Sequence, residues 1–244
     1  MKHNFYLFLF AIFFAVQVNS FAKEKKEDPV AEGPKNGALV IAGGGIKSKE
    51  IVLRFLELAG GKDAPIVFFP TLVKENEGLE NKAKILRNHG ATNVTVLYTT
   101  DREKANSEEF VASLKNATGV WFGGGRQWRF VENYKGTKVE KLVRELLDRG
   151  GVVGGSSAGA SIQGDFLVRG DTKGSGEIMG DHQVGFGYLK NVAIDQHVLV
   201  RNRQFEMLNL LDKHPEYLGI GIDENTAIVV QEDQFEVIGK SYVL

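Results

Sequence analysis

Short apolar runs that break off in glycine, each followed by a stretch with apolar residues at helical spacing, recur along this chain from Gly37 onward. Continuous apolar runs suit strands buried on both faces, and stripes of period 3.6 suit helices packed against them. The alternation predicts an α/β fold, a mostly parallel sheet with helices on both faces. The first strand, 38–42, runs into Gly43-Gly44-Gly45. A helix then follows, with Ser48 at its cap, Ile51, Val52, Phe55, Leu56 and Ala59 on one face, and Gly60-Gly61 at its end. Further strands are expected at 66–69, 94–98, 119–122 and from Val152, with helices around 81–88 and 107–115. Thr137 and Glu140 stand at capping-box spacing ahead of another helical stripe. Later strands are expected near 192–195, 219–223, 227–231 and 235–238, the last two joined as a hairpin around Glu232-Asp233.

Composition narrows the function classes. With 30 Lys and Arg against 31 Asp and Glu, the formal charge of −1 gives no general electrostatic reason to bind nucleic acid or an anionic membrane. There is no cysteine, so disulfides, thiolate metal sites and a lipid-modified amino-terminal cysteine are excluded. Lys2, the apolar run 5–16 and the small-x-small Ser20-Phe21-Ala22 read as a secretory signal peptide over 1–22. An uncleaved anchor is the competing reading, but a span needs about 20 apolar residues and Gln17 and Asn19 interrupt the run early. Cleavage would leave the product periplasmic or secreted, without stable membrane association. Residues 23–36 read as a solvated linker and 37–244 as one domain, large enough to bury a core without cross-links.

The junction after Val152-Val153 carries the chemistry. Gly155-Ser156-Ser157-Ala158-Gly159 is a glycine-x-serine-x-glycine turn where a buried strand gives way to a helix, the context that thrusts a serine hydroxyl outward. Glycine- and serine-rich turns after strands also bind phosphate or merely close a loop. A serine nucleophile needs a base, and the chain holds five histidines. His3 lies in the leader, while His89 and His214 fit helix ends. His182 sits in a glycine-rich stretch, and His197 follows Asp195-Gln196 at an expected strand end, where α/β sheets gather ligands. No His, Asp and Glu grouping has metal-ligand spacing such as His-Glu-x-x-His, so neither a metal nor another cofactor is expected.

Taken together, Gly154-Gly155-Ser156-Ser157-Ala158-Gly159-Ala160-Ser161, Asp195-Gln196-His197, Arg201-Asn202-Arg203 and Gly219-Ile220-Gly221-Ile222-Asp223-Glu224 resemble the serine peptidase family that contains cyanophycinase and aspartyl dipeptidase E. The resemblance runs from about Gly37 to Ile238, with the motifs in order, and is closest to the cyanophycinase-like members. It implies a three-layer, flavodoxin-like fold shared with class I glutamine amidotransferases, whose elbow carries a cysteine that this chain lacks. It further implies Ser157 as nucleophile, His197 as base and Glu224 as the orienting acid, although by position neighbouring Asp223 is an equal candidate, since only one of two adjacent strand residues faces a given side. Ala158 and Gly124, the latter in the Gly123-Gly124-Gly125 turn, are the expected oxyanion-hole donors. The same resemblance implies that Gln127, Asp195, Gln196, Arg201 and Arg203 line the substrate pocket, where the arginines suit carboxylates and Asp195 a cationic group.

Two residues depart from the cyanophycinase pattern: Arg126, where that enzyme has an acid, and Glu206, where it has an arginine. The expected activity is therefore an exported serine exopeptidase acting on aspartyl peptides or isopeptides. An α-aspartyl dipeptidase is the alternative within enzymes, and an exported binding protein that has lost catalysis is the alternative outside them. The partner expected is a peptide substrate, with a homodimer left open.

Overall fold

The computed structural model describes residues 30–71 and 78–244. The expected signal peptide, 1–22, and residues 23–29 of the expected linker lie outside the described residues. The remainder of that linker is not solvated throughout. Glu32 and Lys190 form an antiparallel bridge, Asn191 Nδ2 donates to Val30 O, and Asn36 Nδ2 donates to Asp148 O. Few apolar side chains announce this docking because backbone and amide groups make it.

The elements run β1 (Ala38–Ala42), α1 (Lys49–Ala59), β2 (Ile66–Phe69), α2 (Leu79–Lys82), α3 (Lys84–Arg87), β3 (Val94–Val96), α4 (Arg102–Ala105), α5 (Glu108–Asn116), β4 (Gly119–Phe122), α6 (Trp128–Tyr134) and α7 (Lys138–Asp148). Then come β5 (Val152–Ser156), α8 (Ala158–Ser161), β6 (Gly164–Phe166), β7 (Leu189–Gln196), α9 (Glu206–Lys213), β8 (Leu218–Ile222), β9 (Thr226–Gln231) and β10 (Gln234–Gly239). A seven-stranded sheet has the order β10-β9-β1-β5-β4-β2-β3. It is parallel from β1 to β3, while β9 and β10 add antiparallel at one edge.

Alternate residues of the central strands serve two cores. Leu39, Ile41, Val67, Phe69 and Val153 face the side packed by α5 and α7, whereas Val40, Ile66, Phe68 and Val152 face α1 and Leu86 of α3. On α1, Ile51, Val52, Phe55 and Leu56 are all buried, and each such side chain contributes about 1.5–3 kcal/mol by leaving water. Ser48 Oγ caps this helix by accepting from Glu50 N, and Gly60 ends it in the left-handed region. On α7 the capping bonds are displaced by one residue. Thr137 Oγ1 accepts from Val139 N rather than from Glu140 N, and Glu140 Oε2 accepts from Gly136 N rather than from Thr137 N.

A second, parallel sheet, β6-β7-β8, shares the first core through Val192, Ile194, Ile220 and Ile222. A small cluster of Phe166, Val168, Ile178, Ala193 and Leu210 joins it to α9. The strand leading to His197 therefore belongs to this added sheet, and the ends of two sheets converge on one place.

Candidate active site

Ser157 follows the carboxyl end of β5, which lies between β1 and β4 in the middle of the principal sheet. Its backbone stands at φ 57° and ψ −111°, a strained conformation for a residue with a Cβ. Such strain persists where the surroundings hold it, and here Ser157 N donates 3.0 Å to Ala42 O at the end of β1. The half-buried serine side chain is thereby turned off the strand end.

His197 arrives from the end of β7 and Glu224 from the β8–β9 corner. His197 Nε2 lies 2.9 Å from Ser157 Oγ, and His197 Nδ1 lies 2.6 Å from Glu224 Oε1. With the carboxylate accepting, Nδ1 carries the proton and Nε2 is left to accept from the serine hydroxyl. Asp223 faces elsewhere. Its Oδ1 accepts from Leu199 N and Val200 N, and its Oδ2 from Ser241 Oγ, so it stabilises the turn that follows His197.

Three consecutive carbonyls from the β1 exit tie these segments together. Ala42 O accepts from Ser157 N, Gly43 O from His197 N, and Gly44 O from Asn225 N, next to Glu224. Space imposes the glycines. A Cβ on Gly44, whose φ is 113°, would stand 2.2 Å from His197 Cε1, and one on Gly45 would stand 2.2 Å from Glu224 Oε2. The backbone of this turn is in effect the floor beneath the imidazole and the carboxylate.

Burial is the main cause that lowers the His197 pKa below its ordinary value; the hydrogen bond to Glu224 opposes it, and the positive charges of Arg201 and Arg203 add to it. The imidazole is thus held neutral near neutral pH and able to take a proton. Around the serine, neither Gly124 N–H nor Ala158 N–H has an acceptor among the described residues. Gly124 is exposed and close, since a Cβ placed on it would be 4.0 Å from Ser157 Oγ.

The expected pocket residues are not equivalent. Asp195 is a correction: it is 1% exposed, both of its oxygens are held by Arg169 at 2.8 Å, and Oδ1 also accepts from Gln196 N. A carboxylate so occupied is no receptor for a cationic substrate group. Gln127 is also buried, its Nε2 donating to Val168 O, and Gln196 is buried with an unpartnered Oε1. Arg203 is nearly buried and donates only to the carbonyls of Gln196 and Ser175, with no carboxylate in ion-pair range among the described residues. Arg201 is exposed. The two departures meet one loop: Arg126 donates to Asp171 O and Gly174 O, and Glu206 pairs at 2.5 Å with Arg169, which itself donates to Ser175 O and Gly176 O.

The other three histidines among the described residues have local partners. His89 pairs with Ile85 O, His182 with Asp181 and Glu132, and His214 with Glu216. Sequence reasoning missed Gly44, Gly45 and Arg169. The glycine run after β1 was a visible signal, whereas a buried arginine at φ 58° announces itself by no local pattern.

The model of peptidase family S51 matches residues 38–238. The chain belongs to peptidase family S51. Among curated relatives of this S51 peptidase, it is 35% identical over 216 residues to a cyanophycinase of Geminocystis herdmanii (strain PCC 6308), covering 86% of this chain and 79% of that one. It is 34% identical over 222 residues to a cyanophycinase of Nostoc sp. (strain PCC 7120 / SAG 25.82 / UTEX 2576), covering 87% and 74%. Its fold is similar to the crystal structure of a peptidase from an acI-B1 actinobacterium, with a TM-score of 0.68 at 23% identity over 87% of this chain and 91% of that one. A putative peptidase E of Listeria monocytogenes EGD-e is similar at a TM-score of 0.59 and 20% identity, covering 84% and 100%. The S51 chain is accordingly a serine-type peptidase, a cyanophycinase-like hydrolase on a three-layer α/β fold.

Proposed function

We propose that this S51 peptidase is an exported exopeptidase that cleaves aspartyl peptides or isopeptides through an acyl-enzyme on Ser157. The observation that carries the reading is the continuous row from Ser157 Oγ through His197 to Glu224, at 2.9 and 2.6 Å. His197 Nε2 takes the hydroxyl proton as Oγ bonds to the scissile carbonyl carbon, and Glu224 supports the imidazolium that results. The negative oxygen of the intermediate is met by the Gly124 and Ala158 amides. As the carbon–nitrogen bond breaks, His197 returns the proton to the leaving amine. Water then repeats the sequence on the ester, and Ser157 is restored.

Preference for an acidic substrate is supported by Arg203, a nearly buried cation whose direct partners among the described residues are carbonyls, and by the exposed Arg201 close enough to influence His197. A substrate carboxylate would supply the direct anionic contact that Arg203 does not make among the described residues, in the forked geometry a guanidinium favours. Mass spectrometry of products from β-aspartyl-arginine, α-aspartyl dipeptides and cyanophycin tests this, with Ser157→Ala as control. Release of aspartate from only the α-linked peptides would assign a dipeptidase instead. If a fluorophosphonate does not label the folded wild-type protein, the hydrolase chemistry fails and the binding-protein alternative stands. Export is tested by the amino terminus recovered from cells, expected at Lys23.

A further inference from the structure

The turn that carries Gly124 is held from one side by the segment leaving β2. Gly123 N donates 2.8 Å to Phe69 O, and two residues on, Thr71 Oγ1 donates 2.6 Å to Gly124 O. Between these bonds lie the least restrained backbone torsions a chain can have, those of successive glycines. Contact with Thr71 is what Gly125 permits: its φ is 135°, and a Cβ there would fall 1.7 Å from Thr71 Oγ1. Both Gly124 and Gly125 are exposed, so packing does not fix their peptides.

We propose that Thr71 is a positioning residue for the oxyanion turn, its hydroxyl fixing the Gly124 carbonyl and with it the direction of the turn's amides toward Ser157. The inference rests on Gly124 serving the Ser157 chemistry described above. A peptide unit is planar, so a carbonyl held toward Thr71 turns the Gly125 N–H of the same unit away from Thr71. It also fixes the Gly124 ψ, while the bond from Gly123 N to Phe69 O anchors the Phe122–Gly123 peptide, so the unit between them, which carries the Gly124 N–H, is held from both ends. Without the hydroxyl, the far end is released, the Gly123–Gly124 and Gly124–Gly125 peptides rotate at little cost, and the Gly124 N–H that must meet a developing charge loses its aim.

Thr71→Val removes the hydroxyl and keeps the shape, whereas Thr71→Ser keeps the hydroxyl. The first readout is the second-order rate at which a fluorophosphonate labels Ser157, which needs no knowledge of the natural substrate. The second is kcat and KM on β-aspartyl-arginine. Thr71→Val is expected to lower the labelling rate and kcat about 10- to 100-fold with KM nearly unchanged, and Thr71→Ser to restore both to within about threefold. Should the valine variant fail to melt cooperatively, Thr71→Ala takes its place with the same expectation. Labelling of a folded valine or alanine variant at the wild-type rate overturns the role of Thr71, as does a folded serine variant that is no faster than they are. A wild-type protein that no fluorophosphonate labels points instead to failure of the Ser157 chemistry itself.

Discussion

The His197 imidazole lies where a side chain on Gly44 would be: a Cβ there would approach Cε1 to 2.2 Å and Nε2 to 2.6 Å. Gly44 also sits at φ 113°, so alanine would be strained there even without a neighbour. Relief comes most readily by moving the ring, because the three carbonyl bonds from Ala42, Gly43 and Gly44 hold the surrounding backbone. Gly44→Ala is expected to reduce kcat about 100-fold, the order of loss for a reacting group displaced by an ångström. Steady-state kinetics checks the loss, and circular dichroism checks that the fold survives.

The acid of the row and its neighbour separate cleanly. Glu224→Gln keeps the size of the side chain but removes the negative charge that holds the proton on Nδ1, and its amide NH2, a donor, favours the wrong tautomer. The expected fall in kcat is about 10⁴-fold with the melting temperature little changed. Asp223→Asn should act through the turn, because Asp223 holds the amides of Leu199 and Val200 and the hydroxyl of Ser241. Its loss should appear first in thermal melting, with a smaller effect on kcat.

Much of the principal sheet was legible because its strands are buried on both faces and so read as unbroken apolar runs. The expected limits of β1, β2 and β4 coincide with those observed. The added sheet was harder to read. β6 is a Gly-Asp-Phe segment with an irregular register to β7, and β7 begins at Leu189, before the apolar stretch that marked it. The helix expected over 81–88 is broken at Ala83 into two single turns. At the site, the serine was legible from its motif, while strand position marked His197 only as a candidate, and its role, like that of Glu224, came through family resemblance. What stayed hidden was tertiary: the pairing of Asp195 with an arginine 26 residues away, and a glycine turn shaped by side chains from two other segments.

Acidity should act on this peptidase through His197. Its pKa is lowered, chiefly by burial, so the neutral base survives to a lower pH than a free histidine would allow. The acidic limb of kcat/KM should fall below pH 6.5, the ordinary value for histidine. Arg201→Gln removes a positive charge that helps lower this pKa, so the limb should move upward, toward neutrality. A limb that moves down in that variant would contradict the electrostatic account. The pH profile of kcat/KM on a substrate bound without Arg201, or of fluorophosphonate labelling, keeps substrate affinity out of the measurement.

Asp195 offers the sharpest contrast between a pocket role and a structural one. A carboxylate that binds substrate should raise KM when neutralised and leave melting alone. Here the carboxylate and Arg169 are each 1% exposed, and the arginine also holds the carbonyls of Ser175 and Gly176. Asp195→Asn would leave a buried guanidinium with only the half-exposed Glu206 as an ionic partner. Breaking one side of a buried pair typically costs about 3–5 kcal/mol, which for a chain of this size lowers Tm by roughly 10 °C. Denaturant melts should register that loss without substrate present. The loop 171–176, whose Ser175 and Gly176 carbonyls Arg169 holds, should then become the first point of cleavage in limited proteolysis, because the guanidinium that orders it has lost the carboxylate that fixes its own position.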